Sequence, residues 1–243
     1  MIRLMTPSTA LVTGATGGIG LQIARQFAEL GWMVLVGARD AARGAKVAAE
    51  LGGRPLLLDV TDADTIARAA ATVSELDVLV NNAGISLDIG TPVTEADLDV
   101  FRRTYETNVF GLIAVTNAFL PTLRRSAHPR IVNVSSGTGS LTWSTGPNPQ
   151  FDYRTAGTGR GAAYRSSKTA VDALTVFYAQ ALADDGFRVN ALAPGLRATN
   201  LNPQAAAGGD PAEAAAGAIR LALLPDDAPT GQLFSWDGTV VPW

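Results

Sequence analysis

The segment Tyr164-Arg165-Ser166-Ser167-Lys168 sets a phenol and a primary amine four residues apart, in a 243-residue chain with only two lysines, Lys46 and Lys168. Arginine supplies nearly all the remaining positive charge, so lysine stands out as a residue kept where arginine will not serve. With four tyrosines and two lysines, a chance Tyr-x-x-x-Lys is expected roughly 0.03 times at ordinary composition. On a helix, residues i and i+4 share a face, which brings the ammonium beside the phenol. A fixed positive charge favours phenolate and lowers a tyrosine pKa from about 10 toward neutrality. Such a tyrosine can give or take a proton near neutral pH, as a general acid/base must. Arginine would deliver its charge from a planar fork in a different geometry. The competing interpretation is an ordinary helix turn whose tyrosine packs and whose lysine points to water.

A second constellation is Thr13-Gly14-Ala15-Thr16-Gly17-Gly18-Ile19-Gly20. Three glycines at this spacing arise by chance roughly 0.25 times in a chain this rich in glycine, so the placement matters more than the pattern. The run lies between a β-branched strand pattern and a helical one, where helix N-terminal amides can hold a pyrophosphate. Gly14 would permit the tight turn, Gly18 the approach of the phosphates and Gly20 helix–sheet packing. The alternative is a glycine-rich turn without a ligand. The next strand ends Val36-Gly37-Ala38-Arg39-Asp40. A carboxylate here binds the ribose 2′-hydroxyl of NAD, whereas an arginine binds the 2′-phosphate of NADP. Arg39 points to NADPH, with NADH the less favoured cofactor, provided Asp40 caps the following helix instead. A plain surface arginine is the other interpretation.

The elements that must hold these groups alternate along the chain. Strands are expected at Thr9–Thr13, Trp32–Val36, Pro55–Leu58, Leu76–Val80, Arg130–Val134, Arg188–Leu192 and Gln232–Ser235. Helices are expected up to about Leu30, over Ala41–Leu51 and Thr61–Ser74 (capped by Thr61 or Asp62), and over Thr94–Leu123, Ala162–Ala183 and Pro211–Leu224. The pattern predicts one α/β domain spanning residues 1–243: a Rossmann-type, doubly wound, mostly parallel seven-stranded sheet with helices on both faces. Gly137–Gly161 breaks the rhythm with six glycines, Pro147 and Pro149, and is expected to be a structureless loop.

Composition narrows the chemistry. Zero cysteines remove disulfides and thiolate catalysis, and a single histidine, His128, argues against a metal site. A net charge of −3 with interspersed signs argues against a nucleic-acid partner. Met1–Pro7 lacks the apolar core of a signal peptide, and no run of about 18 apolar residues suggests a membrane span. A cytoplasmic protein is the expectation.

Together these segments resemble the short-chain dehydrogenase/reductase family, carbonyl-reductase-like members in particular, from about Thr9 onward. Thr13-Gly-x-x-x-Gly-Ile-Gly20 is similar to its cofactor turn and Asn81-Asn82-Ala83-Gly84 to its Asn-Asn-Ala-Gly signature. Ile131-Val132-Asn133-Val134-Ser135-Ser136 resembles the strand carrying the catalytic serine, and Tyr164-x-x-x-Lys168 the catalytic pair. The resemblance implies cofactor contacts at Gly14, Thr16, Gly17, Gly18, Ile19, Gly20, Asp59, Val60, Asn82, Ala83, Gly84, Tyr164, Lys168, Pro194, Gly195, Leu196 and Thr199. It implies Asn108, Ser136, Tyr164 and Lys168 as catalytic residues, with Ser136 favoured over Ser135 and Asn108 helping to position Lys168 through water. The implied activity is NADPH-dependent reduction of a small-molecule ketone or aldehyde, reversibly, and the resemblance allows for a homo-oligomer. An NAD-dependent alcohol dehydrogenase and a non-catalytic NADP(H) sensor or scaffold are the alternatives. The 28 residues from Ser136 to Tyr164 mark Gly137–Gly161 as an insertion. Its aromatic residues Trp143, Phe151 and Tyr153 are expected to form part of a substrate wall or to anchor the loop.

Overall fold

The computed structural model describes residues 8–156 and 158–243; Met1–Pro7, on which the signal-peptide expectation rests, lies outside them. In chain order the elements are β1 (Thr9–Thr13), α1 (Gly18–Glu29), β2 (Met33–Ala38), α2 (Ala41–Leu51), β3 (Arg54–Leu57), α3 (Ala63–Ala71) and β4 (Val78–Asn81). Then come α4 (Leu98–Tyr105), α5 (Gly111–Leu123), β5 (Arg130–Val134), α6 (Leu141–Thr145), α7 (Tyr153–Ala156) and α8 (Ala162–Ala181). The chain closes with β6 (Arg188–Ala193), α9 (Pro211–Ala222), β7 (Leu233–Ser235) and β8 (Val240–Val241).

Among the described residues the strands form one sheet in the order β3-β2-β1-β4-β5-β6-β7-β8. All neighbours are parallel except β7 and β8, where Leu233 faces Val241 and Phe234 faces Val240. The expected seven strands are therefore eight. Two residues after the Asp237-Gly238 turn are too few to show a period, so β8 leaves no sequence signature.

Each inner strand is buried on both faces, and its side chains alternate between two cores. Ala10, Val12, Val34, Val36, Val78, Val80, Val132 and Val134 join Ile23 and Phe27 of α1, Val47 of α2 and Ala218 of α9. Leu11, Leu35, Leu79 and Ile131 face the other way, onto Ile66 of α3, Phe119 and Leu123 of α5 and Ala179 of α8. A chain of buried amides and hydroxyls crosses the second layer. Asn81 Nδ2 donates to Thr116 Oγ1 and Asn133 Oδ1, and Asn133 Nδ2 donates to Thr175 Oγ1, each at 2.9 Å. These bonds lock β4 and β5 to α5 and α8 in one register, because an unmade bond there would leave a buried polar group unpaired.

The strand order reverses between β1 and β4, which opens a crevice at the carboxyl ends of those strands. Two sequence expectations change on either side of it. The single helix expected over Thr94–Leu123 begins only at Leu98, capped by Asp97, and is interrupted by a π-helical turn over Glu106–Phe110. Gly137–Gly161 is not structureless. It contains a 3₁₀ turn at Gly137–Gly139, α6 and α7, and Pro92 pairs with Arg160 at its far end.

Candidate active site

α8 brings Tyr164 and Lys168 to the mouth of the crevice, and its start is fixed from another part of the chain. Gly161 at the N-cap offers no side chain, so Asp88, in the loop after β4, accepts from the Ala163 amide at 2.6 Å and the Tyr164 amide at 3.3 Å. Asp88 is buried, and a carboxylate at a helix start meets both the free amides and the positive end of the helix dipole. Sequence reasoning missed this residue. The available signal was negative: Gly-Arg-Gly before a strong helix pattern leaves a start with no cap of its own.

Lys168 is 5% exposed, so the solvated-turn interpretation does not describe it. Its Nζ donates to the Val134 carbonyl at 2.8 Å and lies 5.7 Å from the centre of the Tyr164 ring. The expected depression of the Tyr164 pKa is not what the structure has. Burial pushes the phenol up to about 12, a hydrogen bond with Ser136 opposes this, and the negative charge of Asp172 adds to it. Burial likewise pushes Lys168 down to about 8, with Asp172 opposing. The physical reason for the correction is desolvation: Lys168 is buried and the half-buried Tyr164 is crowded by the surrounding chain, which penalises the charged form of each.

The two serines at the end of β5 point to different places. Ser136 meets Thr138 Oγ1 at 2.9 Å, and its hydroxyl favours the charged form of the Tyr164 phenol. Ser135 is 1% exposed and donates backwards, to the Lys168 carbonyl, at 3.3 Å. Asn108 sits in the π-helical turn, 2% exposed. Its Oδ1 accepts from the Ile85 amide at 2.9 Å, and its Nδ2 donates to the Ile85 carbonyl and to Ser167 Oγ, each at 3.0 Å. Asn108 thus ties the loop after β4 to α8. A Cβ on Gly84 would stand 3.3 Å from Asn108 Oδ1 and 3.5 Å from Lys168 Nζ, so the loop passes close beside both side chains. An inserted residue in a helix re-aims side chains locally, and the π turn directs Asn108 into this space.

The other side of the crevice is the glycine turn. Gly14 and Gly18 have φ of +64° and +54°, and a Cβ on Gly20 would lie 2.5 Å from Gly14 O and collide with Asn82. Thr13, which sequence reasoning had left out of the site, is the hub: its Oγ1 accepts from the Asn82 and Ala83 amides at 2.9 and 3.0 Å. Asn82 Nδ2 in turn donates to the Thr13 carbonyl at 2.9 Å. Gly17 at the start of α1 carries no side-chain cap, which leaves the first amides of α1 directed at the crevice. Thr199, from the loop after β6, closes over the turn, 3.1 Å from where a Gly18 Cβ would be. Gly195, with φ of +70°, makes the bend that starts this loop at Pro194, and Leu196 is exposed on it. Buried Arg197 then fixes the loop, donating to the Pro194 carbonyl at 2.6 Å, pairing with Glu213 and lying 4.4 Å from the Trp236 ring centre.

At the end of β2, Arg39 is exposed, and Asp40 is occupied: its carboxylate accepts from the Arg43 amide at 3.0 Å and caps α2. Asp59 Oδ1 accepts from Thr61, and the Val60 carbonyl lies against Gly111. This cradle, with two left-handed glycines, a third that admits no side chain and an uncapped helix start, suits a dinucleotide pyrophosphate.

The insertion's aromatic residues do not all face the site. Trp143 is 5% exposed and packs on Ala191, Ala193, Leu233 and Val241, with half-buried Phe151 edge-on at 6.5 Å. Its neighbours Ser140 and Thr142 bond the carbonyls of Pro242 and Trp243. Of the two roles expected for it, these contacts show Trp143 as an anchor to the sheet edge with Phe151 packed against it, while its ring also lies against Gly137, next to Ser136. Tyr153 is half-buried under the Arg154 guanidinium. Among the described residues no group of His, Asp and Glu is placed to hold a metal ion, and no helix is long and apolar enough to cross a membrane.

Comparison with known proteins places this arrangement. The short chain dehydrogenase profile matches residues 8–148. Galactitol 2-dehydrogenase (L-tagatose-forming) of Cereibacter sphaeroides is 34% identical, with 96% of this chain and 95% of the relative covered. (−)-Isopiperitenone reductase of Mentha piperita is 32% identical over 94% of this chain and 96% of the relative. Among solved structures, NADPH-bound carbonyl reductase from chicken fatty liver superposes with a TM-score of 0.82 at 26% identity, covering 98% of this chain and all of that one. NAD-bound 3-oxoacyl-[acyl-carrier protein] reductase from Brucella melitensis gives 0.78 at 30% identity, covering 95% of this chain and 90% of that one. The chain belongs to the short-chain dehydrogenase/reductase family, the NAD(P)-dependent oxidoreductases that act on alcohol and carbonyl groups.

Proposed function

We propose that this protein reduces a ketone or aldehyde to the alcohol, reversibly, with NADPH as the preferred cofactor. Gly14, Thr16, Gly17, Gly18, Ile19 and Gly20 would hold the pyrophosphate at the start of α1, and Arg39 the 2′-phosphate. Asp59 and Val60 would border the adenine, and Asn82, Ala83 and Gly84 the central ribose region. Pro194, Gly195, Leu196 and Thr199 would border the nicotinamide. Bound there, the nicotinamide supplies the hydride.

The chain's own residues supply the proton and the field. Tyr164 gives its proton to the carbonyl oxygen, and Ser136 donates a hydrogen bond to that oxygen as negative charge develops on it. Lys168 holds positive charge beside the phenol and bonds the nicotinamide-side ribose, while Asn108 fixes the loop and helix that frame it. The observation that carries the reading is the placing of half-buried Ser136 and Tyr164 beside buried Lys168, with the phenol held in its acid form. A tyrosine at about 12 is a proton donor throughout the neutral range, which suits reduction. The NADPH preference rests on Asp40, whose carboxylate is committed to capping α2 while the neighbouring Arg39 is exposed. The absence of cysteine goes with a cytoplasmic setting.

A panel of aldehydes and of small and bulky ketones, followed by NADPH oxidation beside NADH, tests this directly. Turnover of at least one carbonyl class, faster with NADPH, is expected. Tight NADPH binding with no oxidation across the panel would favour a sensor instead.

A further inference from the structure

Asp172 is a buried carboxylate that the chemistry above does not use. It lies one helical turn beyond Lys168 and two beyond Tyr164 on α8, so all three share a face. It is 3% exposed, and neither of its oxygens has a hydrogen-bond partner of good geometry among the described residues. The Ser135 hydroxyl favours its charged carboxylate, although the Ser135 bond of good geometry goes to the Lys168 carbonyl at 3.3 Å. The turn after Ser136 is shaped around Asp172. A Cβ on Gly139 would lie 2.8 Å from Asp172 Oδ2, 2.9 Å from the Lys168 carbonyl carbon and 3.1 Å from Lys168 Cβ. Thr169 Oγ1 bonds the Gly139 carbonyl at 2.7 Å and holds that turn against α8. A buried, unpaired carboxylate is costly, so its retention beside a buried amine calls for an explanation.

We propose that Asp172 is the buried counter-charge of Lys168, a positioning residue that keeps the amine an ammonium ion in a water-poor pocket and so sets the alkaline limit of carbonyl reduction. The catalytic consequence rests on the proposed reductase function; the electrostatic coupling does not, and it acts along one face of α8 without a direct ion pair between the two among the described residues. The charges facing Asp172 support it. Burial raises its pKa to about 7, while Ser135 of β5 and the Lys168 charge lower it. Tyr164 on the same helix is the other titratable group it touches electrostatically, and the Gly137–Gly139 turn presents backbone alone at Gly139. Lys168 is lowered to about 8 by burial even with Asp172 opposing the shift. Removing the carboxylate therefore moves Lys168 further down, and each unit is a tenfold loss of ammonium at a fixed pH.

The chain's two lysines make the test simple. Lys46 is exposed on α2, so Lys46→Arg leaves Lys168 as the one lysine, and ¹³C-labelled lysine reports its titration alone by NMR. In the Lys46→Arg background, Asp172→Asn should lower the Lys168 midpoint by about one pH unit or more. The alkaline limb of kcat/KM for ketone reduction should move down with it. An unchanged Lys168 midpoint overturns the proposal, and so does a shifted midpoint with an unmoved alkaline limb. If Asp172→Asn does not fold, the Lys46→Arg protein decides alone: the Lys168 signal should carry a second, smaller inflection from Asp172, and its absence overturns the pairing. A protein that reduces no carbonyl counts against the proposed function, while the Lys168 titration still decides this inference.

Discussion

Replacing Tyr164 with phenylalanine removes one oxygen and keeps the ring, so folding and cofactor binding should change little. Loss of the proton donor should cost about 10²–10⁴-fold in kcat, measured as NADPH oxidation with a reducible ketone. Lys168→Arg should be severely impaired despite its retained charge. Lys168 is buried and bonded to the Val134 carbonyl, and a planar fork delivers its charge in a different geometry from an ammonium. Arg39→Ala should weaken NADPH binding by roughly 10–150-fold, the value of a charge-assisted hydrogen bond of about 1.5–3 kcal/mol, and leave NADH nearly unchanged. Fluorescence titration of both cofactors checks it, and equal wild-type affinity for the two would contradict the role given to Arg39. At this scale the sequence was informative where a residue type is rare. Two lysines made Lys168 conspicuous, and the Ser135–Ser136 order followed from the family likeness. It could not reveal that the phenol is raised and not lowered, because desolvation depends on how the folded chain crowds the half-buried Tyr164.

Strands and helices with a clear period were legible, and those whose form depends on a partner were not. β1, α2 and β5 fall where the pattern puts them, since inner parallel strands read as continuous apolar runs and α2 has a cap at Asp40 and a left-handed Gly52. β8 needs β7 beside it, and the π turn around Asn108 answers to α8 and the loop after β4, so neither has a local signature. The insertion looked structureless because its glycines and prolines hide two short helices held down by tertiary contacts. That anchoring has a measurable consequence. Trp143→Ala deletes a buried ring at the edge of the sheet and should destabilise the protein by about 3–5 kcal/mol, seen as a lower Tm, with losses in kcat/KM uniform across substrates. A loss confined to bulky ketones at unchanged Tm would return Trp143 to the substrate wall. In the first helix, Gly20→Ala should abolish cofactor binding, because the added methyl meets Gly14 O and Asn82.

The whole molecule explains why these parts meet. A parallel sheet whose order reverses between β1 and β4 brings the glycine turn, the Asn82–Gly84 loop, Ser136 and the start of α8 to one crevice. Two apolar layers hold the sheet between helices, so the site forms where loops leave a rigid frame. The pH response of the assembled site follows from the signs of its shifts. Tyr164, raised to about 12, stays protonated through neutral pH, so reduction does not lose its donor there. Lys168, lowered to about 8, is charged below that value and neutral above it, so reduction should hold through neutral pH and decline above about 8. A pH–rate profile of kcat/KM for ketone reduction reads this limb. The most direct test of the account is NADPH oxidation by wild-type protein and Tyr164→Phe side by side on a substrate found in the carbonyl panel, with NADPH affinity measured on both. Turnover should fall by about 10²–10⁴-fold in the variant while NADPH affinity is retained; near-wild-type turnover without the Tyr164 hydroxyl would contradict the role of Tyr164 as proton donor.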